Sequence, residues 1–398
     1  MGVSVRHIFK PISYLEIQLL SGVSGGYIIP IGLSDVMASS LNVTVEQVGA
    51  TVTAYALGAT FSAPILTALT ASWSRKNVML VTALVFTLGS FVAAFASTLS
   101  AMVVARFVAG IGHGLFLAVA ASTAAKLAGR GKEGRAVAVV FGGFTLAMAI
   151  GVPLSTWLGG VMAWRPVLAV IGVFGAIGFA GLLFGMKDPV RALHGEHSAS
   201  AMKSIAALLN PTLLSAALVT VLSYAGSFTA YTYIAPMLTQ LTGVAAASVG
   251  IFMLVYGVFA AIGNILGGKI TDSLGVNRAN ILIVGGIIII ALGMWVFSGS
   301  AVMMGILVAL LGMFTFGAVP ALQARLIRVA SEKAPHAAGV ASGLNIAGFN
   351  SGIALGSVTG AFTISSMGIV YTSLAGAVLS LLGLLLLLSQ IAKSKAHH

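Results

Sequence analysis

Long apolar segments repeat along the whole chain and dictate what it can fold into. A helix needs about 20 apolar residues to cross about 30 Å of hydrocarbon. Twelve such runs lie between short polar or charged breaks, with approximate limits Ile12–Val36, Val48–Leu69, Val78–Ser97, Met102–Leu127, Ala136–Gly160, Val167–Met186, Leu213–Leu238, Val249–Gly268, Ala279–Phe297, Val302–Ile327, Ala338–Ile364 and Ile369–Ile391. The sequence therefore predicts an all-α membrane protein with twelve transmembrane helices.

Charged residues are too few for a soluble protein. The 398 residues include 20 Lys and Arg and 8 Asp and Glu, which is 7% of the chain, whereas soluble domains carry about 25%. This scarcity excludes a soluble enzyme. The chain has no cysteine, which also excludes disulfides and cysteine-based metal sites.

The basic residues indicate how the chain is oriented. With the N-terminus inside, 18 of the 20 Lys and Arg fall on one side of the twelve runs, and the exceptions are Arg106 and Arg165. Because basic loops stay in the cytoplasm, we expect both termini to be cytoplasmic. The net charge of +12 then reflects topology and does not indicate a nucleic-acid partner.

A polar segment divides the twelve runs into six and six. The stretch 187–210 contains Pro189 and mixed charges and is interpreted as a cytoplasmic linker between an N-terminal bundle (1–186) and a C-terminal bundle (211–398). GFTLAMAIG, which starts at Gly143, matches GFNSGIALG, which starts at Gly348, in four positions at an offset of 205 residues. Internal repeats are typical of secondary transporters, although Gly- and Ala-rich helices also resemble one another by composition.

Small residues recur at about one helical turn in two of the predicted spans. They allow close helix packing in membranes, and they are Gly257, Gly263 and Gly267 in span eight and Gly348, Gly352, Gly356 and Gly360 in span eleven.

Several strings resemble one family of transporters. They are VTAYALGATFSAPILTALTASWSRK (52–76), ARFVAGIGHGLF (105–116), GVPLSTWLGG (151–160), TAYTYIAP (229–236), GNILGGKITD (263–272) and LNIAGFNSGIALG (344–356). Together they resemble the major facilitator superfamily, and more closely its drug/proton antiporter-1 group, which includes sugar and nucleoside exporters. The resemblance implies two six-helix bundles around a central cavity that is open to one side of the membrane at a time.

The resemblance also implies gating residues at the span ends. The antiporter motif of span five maps to Gly151 and Pro153, with one residue between them. The cytoplasmic gating motif keeps its basic residues but no Asp between spans two and three, and its fuller copy lies between spans eight and nine. The gating residues are expected to be Arg75, Lys76, Gly151, Pro153, Lys269, Asp272 and Arg325. A Glu that relatives place in span one is replaced here by Gly26, which weakens the case for coupling by that route.

Ionisable residues inside a membrane are functional candidates because burying them is costly. Glu16 in span one could titrate or could pair with Lys10 at the interface. His113 could take a proton or contact substrate, or it could bond a backbone carbonyl. Arg106 precedes His113 by two helical turns and could take part in coupling or extend to the interface. We predict proton coupling through Glu16, Arg106 and His113.

Aromatic and amide side chains are the candidates for substrate binding. Tyr224, Phe228 and Tyr231 share one helix face, and Phe314 joins the aromatic candidates. Some of the aromatics could instead face lipid or the core, and the asparagines could bond across helices. The predicted substrate-binding set is Tyr27, Tyr55, His113, Phe116, Tyr224, Phe228, Tyr231, Asn345 and Asn350.

Other classes of function find little support. The sequence has no phosphate-binding loop for ATP and no metal-ligand spacing, so we expect no cofactor, no metal and no enzymatic activity. The expected function is proton-coupled efflux of a small organic compound such as a drug, sugar or nucleoside, by a monomer in the bilayer of the bacterial inner membrane. The alternative is an uptake symporter or a facilitative uniporter, which the missing acid at Gly26 favours. A receptor or scaffold would need a soluble domain.

Overall fold

The computed structural model of the protein describes residues 34–43, 45–70, 72–128, 131–146, 163–186, 206, 208–334 and 338–396. These residues form thirteen α-helices and one 3-10 helical turn. Eight of the helices are long and apolar enough to cross a membrane. Most of predicted span one, the second half of span five and most of the linker lie outside the described residues, and with them the candidates Glu16, Tyr27, Gly151 and Pro153.

The first half of the chain contributes six of the described helices. They are α1 (Ser34–Leu41), α2 (Val45–Leu69), α3 (Arg75–Phe95), α4 (Leu99–Ala128), α5 (Glu133–Leu146) and α6 (Trp164–Gly185). Helices α2, α3, α4 and α6 match the predicted spans two, three, four and six to within a few residues at each end.

The second half contributes seven helices. They are α7 (Pro211–Tyr231), α8 (Ile234–Leu241), α9 (Ala246–Leu274), α10 (Val276–Val296), α11 (Ala301–Lys333), α12 (Ala338–Ser366) and α13 (Thr372–Ala396), with the 3-10 turn at Ile369–Tyr371. Helices α9 to α13 correspond to the predicted spans eight to twelve.

Local sequence signals explain where several helices begin. The Ser74 side chain accepts a hydrogen bond from the amide of Asn77 at the start of α3. Asn210 accepts from the amides of Thr212 and Leu213, with Pro211 as the first residue of α7. These side chains satisfy amides that have no partner within the helix, and proline suits the first position because its missing N–H is not needed there.

The prediction of one continuous span over Leu213–Leu238 was wrong. The structure breaks this segment at Thr232 and Tyr233, between α7 and α8. Pro236 explains the break, because it has no N–H to donate to the carbonyl of Thr232 and its ring crowds that carbonyl.

Glycine allows three pairs of helices to approach closely. A Cβ atom on Gly110 of α4 would collide with the Tyr55 carbonyl of α2, and one on Gly312 of α11 would collide with the Tyr256 carbonyl of α9. The predicted glycine row of span eleven packs α12 against α7, where Gly352 and Gly356 contact the helix at Tyr224 and Ala225.

Large apolar side chains cover the outside of the molecule. Phe184, Ile289, Val302 and Phe362 each expose about 70% or more of their surface, which suits contact with lipid tails and would be unfavourable in water. Arg106, His113, Asn345 and Gln323, by contrast, are buried between the helices. The site therefore lies inside a sheath of apolar helix faces.

Candidate functional site

Three side chains of the first half form a buried polar cluster. The Arg106 guanidinium of α4 lies 4.4 Å from the centre of the Tyr55 ring of α2, a distance typical of cation–π attraction. The Tyr55 and His113 rings are 5.4 Å apart. Arg106 is 2% exposed and His113 is 6% exposed. The sequence predicted all three residues as candidates, and the structure brings them together; we call them the polar cluster.

His113 is held in place by the glycines on either side of it. Gly112 lets α4 approach α3 at Thr82 and Phe86, and Gly114 lets it approach α2 at Ala59. Neither ring nitrogen of His113 has a hydrogen-bond partner among the described residues. Buried polar groups are normally paired, because leaving one unpaired costs free energy. Within the described part of the chain, His113 therefore lacks the partner that a buried polar group normally has.

Seven aromatic rings, one on α5 of the first half and six on helices of the second half, form a continuous series that we call the aromatic track. Its ring centres are 4.5 to 6.4 Å apart, within the range of favourable aromatic pairs. The members in order are Phe141, Phe349, Tyr224, Phe228, Tyr231, Tyr256 and Phe316. The sequence predicted the shared face of Tyr224, Phe228 and Tyr231, and the structure extends it to four more rings.

A chain of buried hydrogen bonds links α7, α11 and α12. Thr220 Oγ1 donates to Asn345 Oδ1 at 2.5 Å, and Asn345 Nδ2 donates to Gln323 Oε1 at 2.7 Å. Gln323 Nε2 then donates to Ser342 Oγ at 2.6 Å. Asn345, a substrate-binding candidate, here bonds across helices, which was the other possibility that the sequence left open.

The two halves are joined by polar contacts between α5 and α9. Asp272 Oδ1 accepts from the Gly134 amide at 2.9 Å, and Asp272 Oδ2 accepts from the Arg135 amide at 3.2 Å. The Arg135 side chain also lies 3.4 Å from Asp272 Oδ2. A carboxylate at the first turn of a helix is favourable because the amides and the helix dipole point toward it. Deeper in the same interface, Asn264 Nδ2 donates to the Ala138 carbonyl at 2.8 Å.

Two of the other described gating candidates make contacts within their own halves. Lys76 donates to the Leu183 carbonyl near the end of α6 at 3.1 Å. Arg325 donates to Gln390 of α13, and Gln390 in turn donates to Ser215 of α7 at 2.7 Å. Lys269 is exposed, and Arg75 is half-buried at the start of α3. Among the described gating candidates, Asp272 is the one that joins the halves.

The remaining candidates have local positions. Phe116 is buried one turn beyond His113. Asn350 donates to the Ile346 carbonyl of its own helix at 2.9 Å. Phe314 lies against Gly286 of α10 and does not join the aromatic track.

Sequence reasoning missed Phe349, Tyr256, Asn264 and Thr220. A signal existed for Tyr256, which follows Tyr55 by 201 residues, while Gly312 follows Gly110 by 202 residues. Both tyrosines place their carbonyls against the matching glycine. Phe349 lies in the repeat that matches GFTLAMAIG, but that match does not identify its ring partners on other helices. Thr220 had no such signal.

Comparisons with known proteins show which family the chain belongs to. Residues 17–345 match the model of the Major Facilitator Superfamily. The chain is 34% identical over 355 residues to the MFS-type transporter YtbD of Bacillus subtilis, covering 88% of each chain. It is 33% identical to the inner membrane transport protein YdhP of Escherichia coli, covering 92% of each.

A further relative and a solved structure complete the comparison. The chloramphenicol resistance protein of Streptomyces lividans is 31% identical over 241 residues, which cover 61% of this chain and 62% of that one. The crystal structure of the transporter FucP in the outward conformation superposes with a TM-score of 0.75 at 15% identity, covering 96% of this chain and 98% of that one. On this evidence the chain belongs to the Major Facilitator Superfamily and is a multi-pass membrane transporter with that family's twelve-helix fold.

Proposed function

We propose that this transporter exports a small organic compound in exchange for protons, by alternating access of a central site to the two sides of the membrane. The observation that supports the proposal most strongly is His113, whose buried imidazole has both nitrogens unpaired among the described residues. Imidazole is the side chain that most readily changes charge near neutral pH. The relative named as a chloramphenicol resistance protein supports export.

The polar cluster would couple the proton to the solute. A proton on His113 creates a second positive charge in a cluster that already holds the Arg106 guanidinium, which stays charged at ordinary pH. Two like charges in a medium of low dielectric constant repel each other. The neutral imidazole also has a single acceptor nitrogen, which is the atom that takes a proton. A solute group that donates a hydrogen bond to this nitrogen would therefore compete with a proton for His113, as antiport requires.

The contacts between α5 and α9 would form the gate at one end. They lie at the end of the helices where the predicted cytoplasmic loops begin. The site can open to that side after the Asp272 and Asn264 hydrogen bonds have broken. In this proposal the protein is a monomer of the bacterial inner membrane with both termini in the cytoplasm, and 1–186 and 211–398 move against each other around the linker 187–210.

Transport into proteoliposomes, with and without an imposed pH gradient, tests the proposal. A panel of uncharged drugs, nucleosides and sugars is offered to the wild-type protein and to His113→Gln. For the wild type, we expect substrate to enter the vesicles faster when the imposed gradient drives protons out of them. His113→Gln should take up substrate at the same rate with and without that gradient. Equal rates with and without the gradient would instead indicate a uniporter, and movement of substrate together with protons would indicate a symporter.

A further inference from the structure

The internal repeat of the chain relates two contacts between its halves. Helix α12 begins 205 residues after α5, which is also the offset that relates GFTLAMAIG to GFNSGIALG. Helix α9 begins 201 residues after α2. By these offsets Ala138 corresponds to Gly343, and Ala63 corresponds to Asn264. Asn264 contacts Ala138, and Gly343 contacts Ala63, so the same pair of repeat positions joins the halves twice.

In the contact between α5 and α9, a side chain crosses from one half to the other. Asn264 Nδ2 donates to the Ala138 carbonyl at 2.8 Å, and Asn264 is 1% exposed. One turn closer to the helix ends, a Cβ atom added to Gly134 would lie 2.7 Å from the Gly268 carbonyl oxygen. This contact therefore combines close packing with a hydrogen bond that is lost when the halves separate.

In the contact between α2 and α12, two backbones meet directly. A Cβ atom on Gly343 would collide with the Ala63 carbonyl oxygen of α2, so only glycine allows this approach. Thr67 Oγ1 donates to the same carbonyl from within α2. The Ala63 carbonyl can therefore be buried against α12 without a donor from the other half, and it keeps its Thr67 hydrogen bond when the halves separate.

Both contacts lie at the same depth. Ala138 is the sixth residue of α5, and Gly343 is the sixth residue of α12, so each lies about 7.5 Å from the start of its helix. Both helices start at predicted cytoplasmic loops. The two halves of this fold are related by an axis along the membrane normal, so the corresponding contacts lie on opposite sides of the path between the halves.

We propose that Gly343 is a gating residue: it lets α12 close on the Ala63 carbonyl of α2, and this contact shuts the cytoplasmic end together with the contacts between α5 and α9. The inference rests on the proposed alternating access and adds a second closure of different chemistry. The first closure depends on hydrogen bonds, whereas the second depends on the absence of a side chain at residue 343. A methyl group at this position holds the two helices apart and favours the conformation open to the cytoplasm.

Spin labels on Ser72→Cys and Ser331→Cys test the proposal. The two positions are exposed near the ends of α2 and α11, in different halves, and the natural chain has no cysteine. Distances are measured in the full-length protein without a solute or a proton gradient. We expect Gly343→Ala to increase the fraction of long distances by about twofold or more, because overpacking of the closed conformation shifts the equilibrium toward the open one.

Gly352→Ala is the matched control on the same helix. Its added Cβ atom would lie 2.9 Å from the Val221 carbonyl oxygen of α7, so it overpacks a contact within one half. This variant should lower the melting temperature and leave the distances between the labels unchanged. The same shift in both variants, or no shift in Gly343→Ala, would overturn the proposal.

A second comparison does not depend on whether Gly343→Ala folds. The pair on Ser72→Cys and Ser331→Cys and a pair on Lys132→Cys and Ser273→Cys, near the ends of α5 and α9, are measured in the wild type and in Asp272→Ala. If both contacts belong to one closure, the two pairs give equal fractions of long distances in each protein. Unequal fractions would show that α2 and α12 stay packed while α5 and α9 separate, and would overturn the proposal. Neither measurement involves protons, so a failure of proton-driven transport would leave this inference standing.

Discussion

Arg106 and His113 show how a nearly uncharged chain concentrates its few ionisable groups. Arg106 is the buried guanidinium of α4, and its stacking on Tyr55 offsets part of the cost of burial. Spacing alone placed Arg106 and His113 on one helix face, so this part of the site could be predicted from the sequence. Tyr55 lies beside them because α2 and α4 approach closely at Gly110. The sequence shows the glycine but does not determine which helix packs against it.

Replacing Arg106 tests whether transport depends on the positive charge and the planar guanidinium of this side chain. We expect Arg106→Ala to lower the initial transport rate by at least about tenfold, because the buried positive charge and its stacking on Tyr55 are both lost. Arg106→Lys should restore part of the rate, because it keeps the charge but not the planar guanidinium.

Arg165 provides the control for that comparison. Its guanidinium stacks on Trp164 at the same distance of 4.4 Å, but it bonds to Ser40 and Ala96 at the end of the helices. Arg165→Ala should transport at close to the wild-type rate. If Arg106→Ala transports as well as Arg165→Ala, the polar cluster is not part of the transport site.

Some of the contacts between helices could be predicted from the sequence, and others could not. The glycine row of α12 was predicted and does pack a helix, and Pro236 explains the break after α7. The partners of Asp272 are backbone amides of α5, and no residue type marks such partners. The aromatic track likewise depends on which helix faces meet, and that is decided by tertiary packing.

Removing the Asp272 carboxylate should weaken the gate. Asp272→Ala loses both acceptor oxygens, whereas Asp272→Asn keeps one acceptor and turns an amide donor toward the Arg135 amide. Since hydrogen bonds to charged groups contribute about 1.5–3 kcal/mol, we expect the conformation open at this end to become more populated, more so for Ala than for Asn.

Spin labels on Lys132→Cys and Ser273→Cys report that opening. Both positions are exposed at the α5 and α9 ends, and the natural chain has no cysteine to compete for label. We expect a larger fraction of long distances in Asp272→Ala. If Asp272→Ala and the labelled protein that keeps Asp272 give the same distance distribution, the Asp272 hydrogen bonds do not hold the α5 and α9 ends together.

The glycine at the α9–α11 crossing can be tested by stability. Gly312→Ala places a Cβ atom against the Tyr256 carbonyl, and overpacking of this kind costs about 1–3 kcal/mol. Gly285→Ala in α10 is the control, because nothing lies within 4 Å of its added Cβ atom. The melting temperature in detergent should fall for Gly312→Ala and stay unchanged for Gly285→Ala; equal values would contradict the close approach.

The whole molecule combines two halves of one architecture with different chemistry. The apolar runs predicted the helices, and the resemblance predicted the twelve-helix fold that the comparisons support. By the 202-residue spacing that relates Gly110 to Gly312, Thr315 stands at the position of His113 and Val308 at the position of Arg106, so the polar cluster has no counterpart at the matching positions of the second half.

Proton movement driven by the solute tests the central claim most directly. Proteoliposomes loaded with a pH-sensitive dye are given a gradient of a transported probe and no initial pH gradient. The account predicts that wild-type protein moves protons opposite to the probe and that His113→Gln abolishes this movement. Probe transport by the wild type without any proton movement, or proton movement that His113→Gln leaves unchanged, would contradict it.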